Sequence, residues 1–230
     1  PRARRREQPA VVVPASDREM SYHDFFTNAY KSGNVLRFLG VREAATVAVE
    51  VTPAPEPLLA FLGAAQLGAV TTFEPTSKAR VTLVPVAEEA AYDLPPGAKL
   101  AVYGGPPESP ATTHWEQEVW SENPGFPETP VDPESPVVRA GGEPYSHRDL
   151  LAAGDGVVDA LGLDSDSRLA IRTPLAAPAT VVGLIAALLA ETTLVVVGES
   201  DRAVNADAAI VGDNVTPPEA ATMPAAELLL

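Results

Sequence analysis

The stretch Val137 to Leu151, "VVRAGGEPYSHRDLL", holds the residue types that a phosphate-binding turn uses. A short apolar run leads into Gly141 and Gly142, and Ser146 then opens a helical pattern. Paired glycines let backbone N–H groups approach an anion. A helix start adds donors and a positive dipole end, and Arg139 adds a cation. Arg139, Gly141, Gly142, Ser146 and His147 are therefore the candidate site residues. Against them stands Glu143, whose carboxylate repels phosphate, and no lysine follows the glycines. Gly141-Gly142 also reads as a tight strand-to-helix or hairpin turn.

Other chemistry is scarce. The histidines are His23, His114 and His147, with no H-x-x-x-H spacing, so no metal site is expected. His23 and His147 fall inside helix-capping segments, where solvent exposure explains them. The chain has no cysteine, so disulfides and thiolate chemistry are excluded. It has no G-x-S-x-G elbow and no G-x-G-x-x-G after a strand. The acidic clusters "LDSDSR" and "GESD" read as solvated turns.

The elements that must position the site come in two similar series. One begins at Met20 with "MSYHDFFTNAYKSGNVLRFLG", the other at Pro144 with "PYSHRDLLAAGDGVVDALG". A constant shift aligns Leu39-Gly40 with Leu161-Gly162 and Val47-Ala48-Val49 with Leu169-Ala170-Ile171. Each series opens on a capping pattern, Ser21 with Asp24 and Ser146 with Asp149. Helical apolar spacing follows at Phe25, Ala29, Leu36 and Leu39, and at Leu150, Val157 and Leu161. Gly40 and Gly162 stop these helices. Strands are expected at Thr46–Val51 and Arg168–Thr173, helices at Glu56–Leu67 and Pro178–Leu189, and strands at Val70–Phe73 and Thr193–Val197. A third apolar run closes each series, from Ala79 and from Ala206. Strand–helix–strand connections of this length give parallel pairing. The expected fold is α/β, with two pseudo-symmetric subdomains whose mainly parallel sheets are flanked by helices. The first spans 1–103 and the second 137–230. Between them, 104–136 reads as a proline- and acid-rich linker packed through Trp115 and Trp120.

Composition narrows the partners. The formal charge is −15, with 31 acidic residues against 16 basic ones. Only Lys31, Lys78 and Lys99 are lysines. This acid excess is a haloarchaeal-type composition, in which molar salt screens surface repulsion. A moderately acidic protein of ordinary salt is the other reading. Nucleic acid is not an expected partner, because its binding rests on basic patches. The basic run Arg2 to Arg6 reads as a frayed tail. No apolar run reaches membrane-spanning length and no leader pattern is visible, so a cytoplasmic location is expected.

"MSYHDFFTNAYKSGNVLRFLGV" followed by "VAVEVTPAPEPLLAFLGAAQLGAV" resembles the N-terminal part of the adenylate-forming acyl-CoA synthetase superfamily. Ala60 to Val70, "AFLGAAQLGAV", is the closest stretch. The resemblance implies a region of two similar α/β subdomains. It also implies a Ser/Thr/Gly-rich phosphate loop ending in Pro-Lys-Gly just before the "SH" helix. Here "VVRAGGEP" stands in that place without the hydroxyls and the lysine, so Arg139, Gly141, Gly142, Ser146 and His147 would be a phosphate-loop remnant. "AVYGGPP", Ala101 to Pro107, is similar to the family's adenine-site glycine motif but precedes the loop, so it reads as a strand end and turn. The adenine pocket, Mg²⁺ ligands and C-terminal lysine of the family would lie beyond Leu230. The reading is then a non-catalytic binding or regulatory homologue, with no catalytic residue and no certain cofactor. ATP, AMP or CoA are the ligands that the family would bring, and the shortened loop argues against them. Its partner would be itself or a full-length synthetase. The alternative is an acetyl- or acyl-CoA synthetase subunit (ATP-dependent acyl adenylation) completed by a separate polypeptide.

Overall fold

A computed structural model describes residues 7–125 and 129–228. The basic run Arg2 to Arg6 lies outside the described residues. Thirteen strands and five α-helices are described. Their order is β1 (Pro9–Val13), β2 (Arg18–Ser21), α1 (Tyr22–Phe38), β3 (Thr46–Val49), α2 (Glu56–Ala65), β4 (Val70–Thr72), β5 (Val81–Pro85), β6 (Lys99–Tyr103), β7 (Thr113–His114) and α3 (Trp115–Ser121). The chain continues through β8 (Pro136–Ala140), β9 (Glu143–Ser146), α4 (His147–Leu161), β10 (Arg168–Arg172), α5 (Pro178–Ala190), β11 (Thr193–Val196), β12 (Ala208–Val211) and β13 (Ala221–Pro224). Short 3-10 turns follow β5 and β13.

The strands form two sheets, ordered β13-β12-β10-β11-β1-β2 and β7-β6-β5-β3-β4-β8-β9. All pairings are parallel except those of the hairpins β1/β2 and β8/β9. The architecture is thus α/β with two mostly parallel sheets and helices beside them, as expected. Both orders follow from the same rule: a first strand, a crossover helix to a neighbour on one side, then a return to the other side.

The chain divides into two compact units. One holds Pro1–Phe25, Pro53–Pro55 and Arg148–Leu230, and the other holds Phe26–Thr52 and Glu56–His147. This partition cuts the chain differently from the sequence-based division at 104–136. The β1/β2 hairpin sits on the sheet of the later strands, with Val11 opposite Leu194 on β11. The β8/β9 hairpin sits on the sheet of the earlier strands, with Thr71 of β4 opposite Val138. Each hairpin therefore belongs to one unit and runs straight into a helix assigned mainly to the other. The segment 104–136 is not an irregular linker either, since it contains β7 and α3. Trp115 is buried there at 1% exposure, whereas Trp120 is 85% exposed and packs nothing beneath it.

The cores follow the apolar periodicity. Phe25, Ala29, Leu36 and Leu39 are buried on α1, and Leu150 and Val157 on α4. Both helices stop at a left-handed glycine, Gly40 (φ +92°) and Gly162 (φ +61°). Helix α5 is apolar on all sides and begins with a proline whose missing N–H costs nothing in the first turn. It lies close on its sheet at Gly183, where an added Cβ would collide with the Ile171 side chain. Around β10 the unit's interior is aliphatic: Ala170, Val195, Ala209 and Val211, with Val197, Val204, Ala206 and Val215 against them.

Candidate functional site

The candidate residues lie on the β8/β9 hairpin and the start of α4. Val137 and Val138 are buried, which anchors β8, while Arg139 is exposed. Ala140 pairs with Glu143, so Gly141 and Gly142 alone make the turn. Their φ angles are +58° and +86°. A two-residue hairpin turn whose twist matches the strands needs positive φ at both positions, and glycine adopts it without strain. This is a hairpin turn and not a loop wide enough to wrap a polyphosphate.

The turn's polar groups are already engaged. The Gly141 N–H donates to Glu74 Oε1 at 2.7 Å. Arg139 Nη1 donates to the Gly142 carbonyl at 3.1 Å. A carboxylate thus already takes the Gly141 N–H, and the Arg139 guanidinium is turned onto the backbone. Glu143 adds a second exposed carboxylate at the start of β9. Such a site disfavours phosphate electrostatically.

Ser146 ends β9 opposite Pro136, and the His147 N–H donates to the Ser135 carbonyl at 3.3 Å as α4 begins. His147 departs from the exposed position expected of it. Its ring is partly buried, with Nε2 shielded from solvent and without a hydrogen-bond partner. Burial lowers its pKa, which favours a neutral imidazole. His23, by contrast, is exposed. The structure therefore brings Arg139, Gly141 and Gly142 together at one hairpin tip, and places Ser146 and His147 at its far end.

The other hairpin is built the same way. In both, a proline pairs with a serine and a bulge follows: Pro9 with Ser21, and Pro136 with Ser146. Ser21 then caps α1, accepting from the Asp24 N–H at 3.1 Å and donating to Asp24 Oδ2 at 2.9 Å. The first hairpin simply has a longer turn, with Asp17 in the left-handed region. A hairpin leading directly into a helix is thus a recurring device of this chain.

Two further clusters, not read from the sequence, occupy the carboxyl ends of the sheets. Ligands of open α/β sheets bind there, where successive crossovers diverge. That point is β3, between β4 and β5, in one sheet and β10, between β11 and β12, in the other. Past β3, Tyr92 Oη donates to Glu50 Oε2 at 2.9 Å. Tyr103 Oη donates to the Glu50 carbonyl at 2.8 Å and accepts from the Thr52 N–H at 3.2 Å. Burial pushes the Tyr103 phenol up to about 12. At the end of β10, Arg172 is fully buried and held by Glu219, through Nε–Oε2 at 2.8 Å and Nη2–Oε1 at 2.7 Å. It also donates to the carbonyls of Ser200 and Arg202. The sequence signal for the second cluster was a charged residue inside the apolar strand run "RLAIRT".

Among the described residues no group of three or more His, Asp or Glu side chains is placed to hold a metal ion, and no helix is long and apolar enough to cross a membrane.

No family model matches the sequence, and no curated protein matches it. Solved structures do match the fold. The anthranilate CoA ligase AuaEII, in complex with anthranoyl-AMP, superposes with a TM-score of 0.79 at 20% identity, over 90% of this chain and 47% of that one. The N-terminal domain of FACL13 from Mycobacterium tuberculosis gives 0.71 at 18% identity, over 85% and 54%. ATP-bound MatB from Rhodopseudomonas palustris gives 0.72 at 16% identity, over 90% and 46%. The chain has the fold of the N-terminal part of the adenylate-forming CoA ligases. It spans about half the length of the solved structures it matches. On this fold the glycine pair is a two-residue hairpin turn.

Proposed function

We propose that this chain is a non-catalytic relative of the adenylate-forming CoA ligases, a scaffold that binds a partner instead of activating a carboxylate. One observation carries the reading. At the hairpin where such a ligase would be expected to hold polyphosphate, two glycines close the turn and Glu74 occupies the Gly141 N–H. Fold alone does not specify chemistry, and the groups that would neutralise a triphosphate are missing from this tip. The partner is a full-length ligase or a second copy, and neither ATP, AMP nor CoA is a required ligand.

The test is carboxylate-dependent pyrophosphate exchange, run in molar KCl with a panel of aliphatic and aromatic acids, beside ATP titration by calorimetry. No exchange and no heat of ATP binding are expected. Exchange by the purified chain above the enzyme-free blank would overturn the proposal. Exchange only after adding a second polypeptide would instead establish the subunit reading.

A further inference from the structure

Within the unit of residues 26–52 and 56–147, a groove of about 560 Å³ runs between the end of α1, the loop joining β6 to β7, and α3. Leu39 lies on its apolar side, and Phe38 beside it is 80% exposed. Phe38 thus offers a bare aromatic ring to the groove. On α3, Trp120 is likewise left 85% exposed.

The wall opposite is braced. The carboxylate of buried Glu89 accepts from the Glu108 N–H at 2.7 Å and from the Ser109 N–H at 3.1 Å. The loop is thereby held in one shape before any partner arrives, which lowers the ordering cost of binding. Prolines 106, 107 and 110 remove three backbone donors from this wall. A partner strand therefore finds no ladder of donors along 106–110, so recognition on this wall goes through side chains, while the edge strand β7 borders the same groove at Thr113 and His114.

The charge is one-sided. Glu108 and Glu118 line the groove, and no lysine or arginine does. The single lining histidine, His114, is already 3.5 Å from Glu116. A second copy of a chain with net charge −15 brings like charge to such a surface. An arginine suits it best. Its planar guanidinium stacks on an aromatic face and pairs with carboxylates at the same time, which a compact ammonium does less well.

We propose that this groove docks an extended, arginine-bearing segment of a partner protein, with guanidinium groups against Phe38 and the carboxylates of Glu108 and Glu118. The inference goes beyond the reading of the β8/β9 hairpin and uses none of its residues, so it stands or falls separately from the question of adenylation.

The probe is a fluorescein-labelled hexapeptide alternating arginine and leucine, followed by anisotropy on the full chain. Its lysine–leucine and glutamate–leucine counterparts are the controls. Arginine–leucine is expected to bind most tightly and glutamate–leucine not at all. Phe38→Ser and the pair Glu108→Gln/Glu118→Gln should each weaken binding about tenfold or more. Asp155→Asn/Asp159→Asn, an equal charge change on the exposed face of α4, should leave it unchanged. All these positions are exposed or line an open groove, and a thermal melt of each variant confirms folding. Loss of binding in the Asp155/Asp159 control as large as in the groove variants would reduce the effect to net-charge attraction and overturn the proposal. So would full binding by Phe38→Ser, or no binding by the parent chain.

Discussion

Arg172 and Glu219 meet at two points, Nε to Oε2 and Nη2 to Oε1, with side chains 0% and 1% exposed. The pair ties the end of β10 to the segment entering β13, and two further carbonyls complete the guanidinium's shell. A desolvated charge that loses its partner is far more costly than the pair was valuable. Glu219→Leu is expected to lose about 3–5 kcal/mol in urea unfolding at fixed salt. Arg172→Met/Glu219→Leu together should lose clearly less than Glu219→Leu alone. A double-variant loss equal to the sum of the two single losses, Arg172→Met and Glu219→Leu, would show that the two groups are not energetically coupled.

The turn at Gly141 and Gly142 gives a second prediction. Nothing lies within 4 Å of a Cβ added at either position, so only the backbone conformation opposes substitution. Gly142→Val should cost about 1–2 kcal/mol through left-handed strain. Gly141→Asn, with a residue suited to the first position of such a turn, should change the melting temperature little. A loss on Gly141→Asn matching that of Gly142→Val would mean that the turn is not of this type in solution.

Glu89 predicts an acid-side effect. Hydrogen bonding from the Glu108 N–H, with help from Thr112 and Ser109 and against the cost of burial, lowers its pKa below the usual 4.5. A depressed carboxylate stabilises the fold above its unfolded pKa, and that contribution disappears as pH falls through the lower, folded value. The melting-temperature gap between the parent chain and Glu89→Gln should be open near neutral pH and should shrink as pH falls below 4.5. A gap that persists unchanged in acid would assign the effect to lost packing.

Tyr103 predicts the opposite limb. Its phenol rises from an ordinary value of 10.0 to about 12, mainly through burial. The fold therefore favours the neutral ring, and stability falls as pH rises from about 10 through about 12. Tyr103→Phe should remove this alkaline loss. It leaves the Thr52 N–H without the acceptor it has now, at a cost of about 1 kcal/mol near neutrality. Tyrosinate absorbance of the folded chain should show a transition near pH 12 that is absent in the variant.

Much of this architecture was legible in the sequence, because the signals were local. Ser21 with Asp24 marks the start of α1 and Gly40 its end. The all-apolar run Val181 to Ala190 reads as a buried helix, and the β3 and β10 cores fall within a residue or two of where they were expected. The β1/β2 hairpin was not legible, and a hairpin at Gly141-Gly142 was one of two turn readings there. "PAVVV" and "REMS" are separated by a polar turn, whereas "VVRA" and "EPYS" are separated only by two glycines, so their equivalence is hidden by unequal turns. Nor does anything local say that Val11 will lie beside Leu194. The candidate site was legible in its chemistry, through the missing lysine and Glu143, but not in its geometry. Glu74, which engages the Gly141 N–H, is distant in sequence, and the shielding of His147 Nε2 arises from packing that no spacing rule records.

The hairpin exchange has a consequence for how the protein is born. A ribosome adds roughly 5–20 residues each second. The stretch from Phe26 to His147 emerges as one nearly contiguous block and can close once its last strand is out. The β1/β2 hairpin is made long before its neighbour β11. By that rate β1 waits roughly 10–30 s with one strand edge unsatisfied. An early strand is thus among the last to find its place, and holding its edge soluble is a task left to the growing chain and to whatever meets it at the exit.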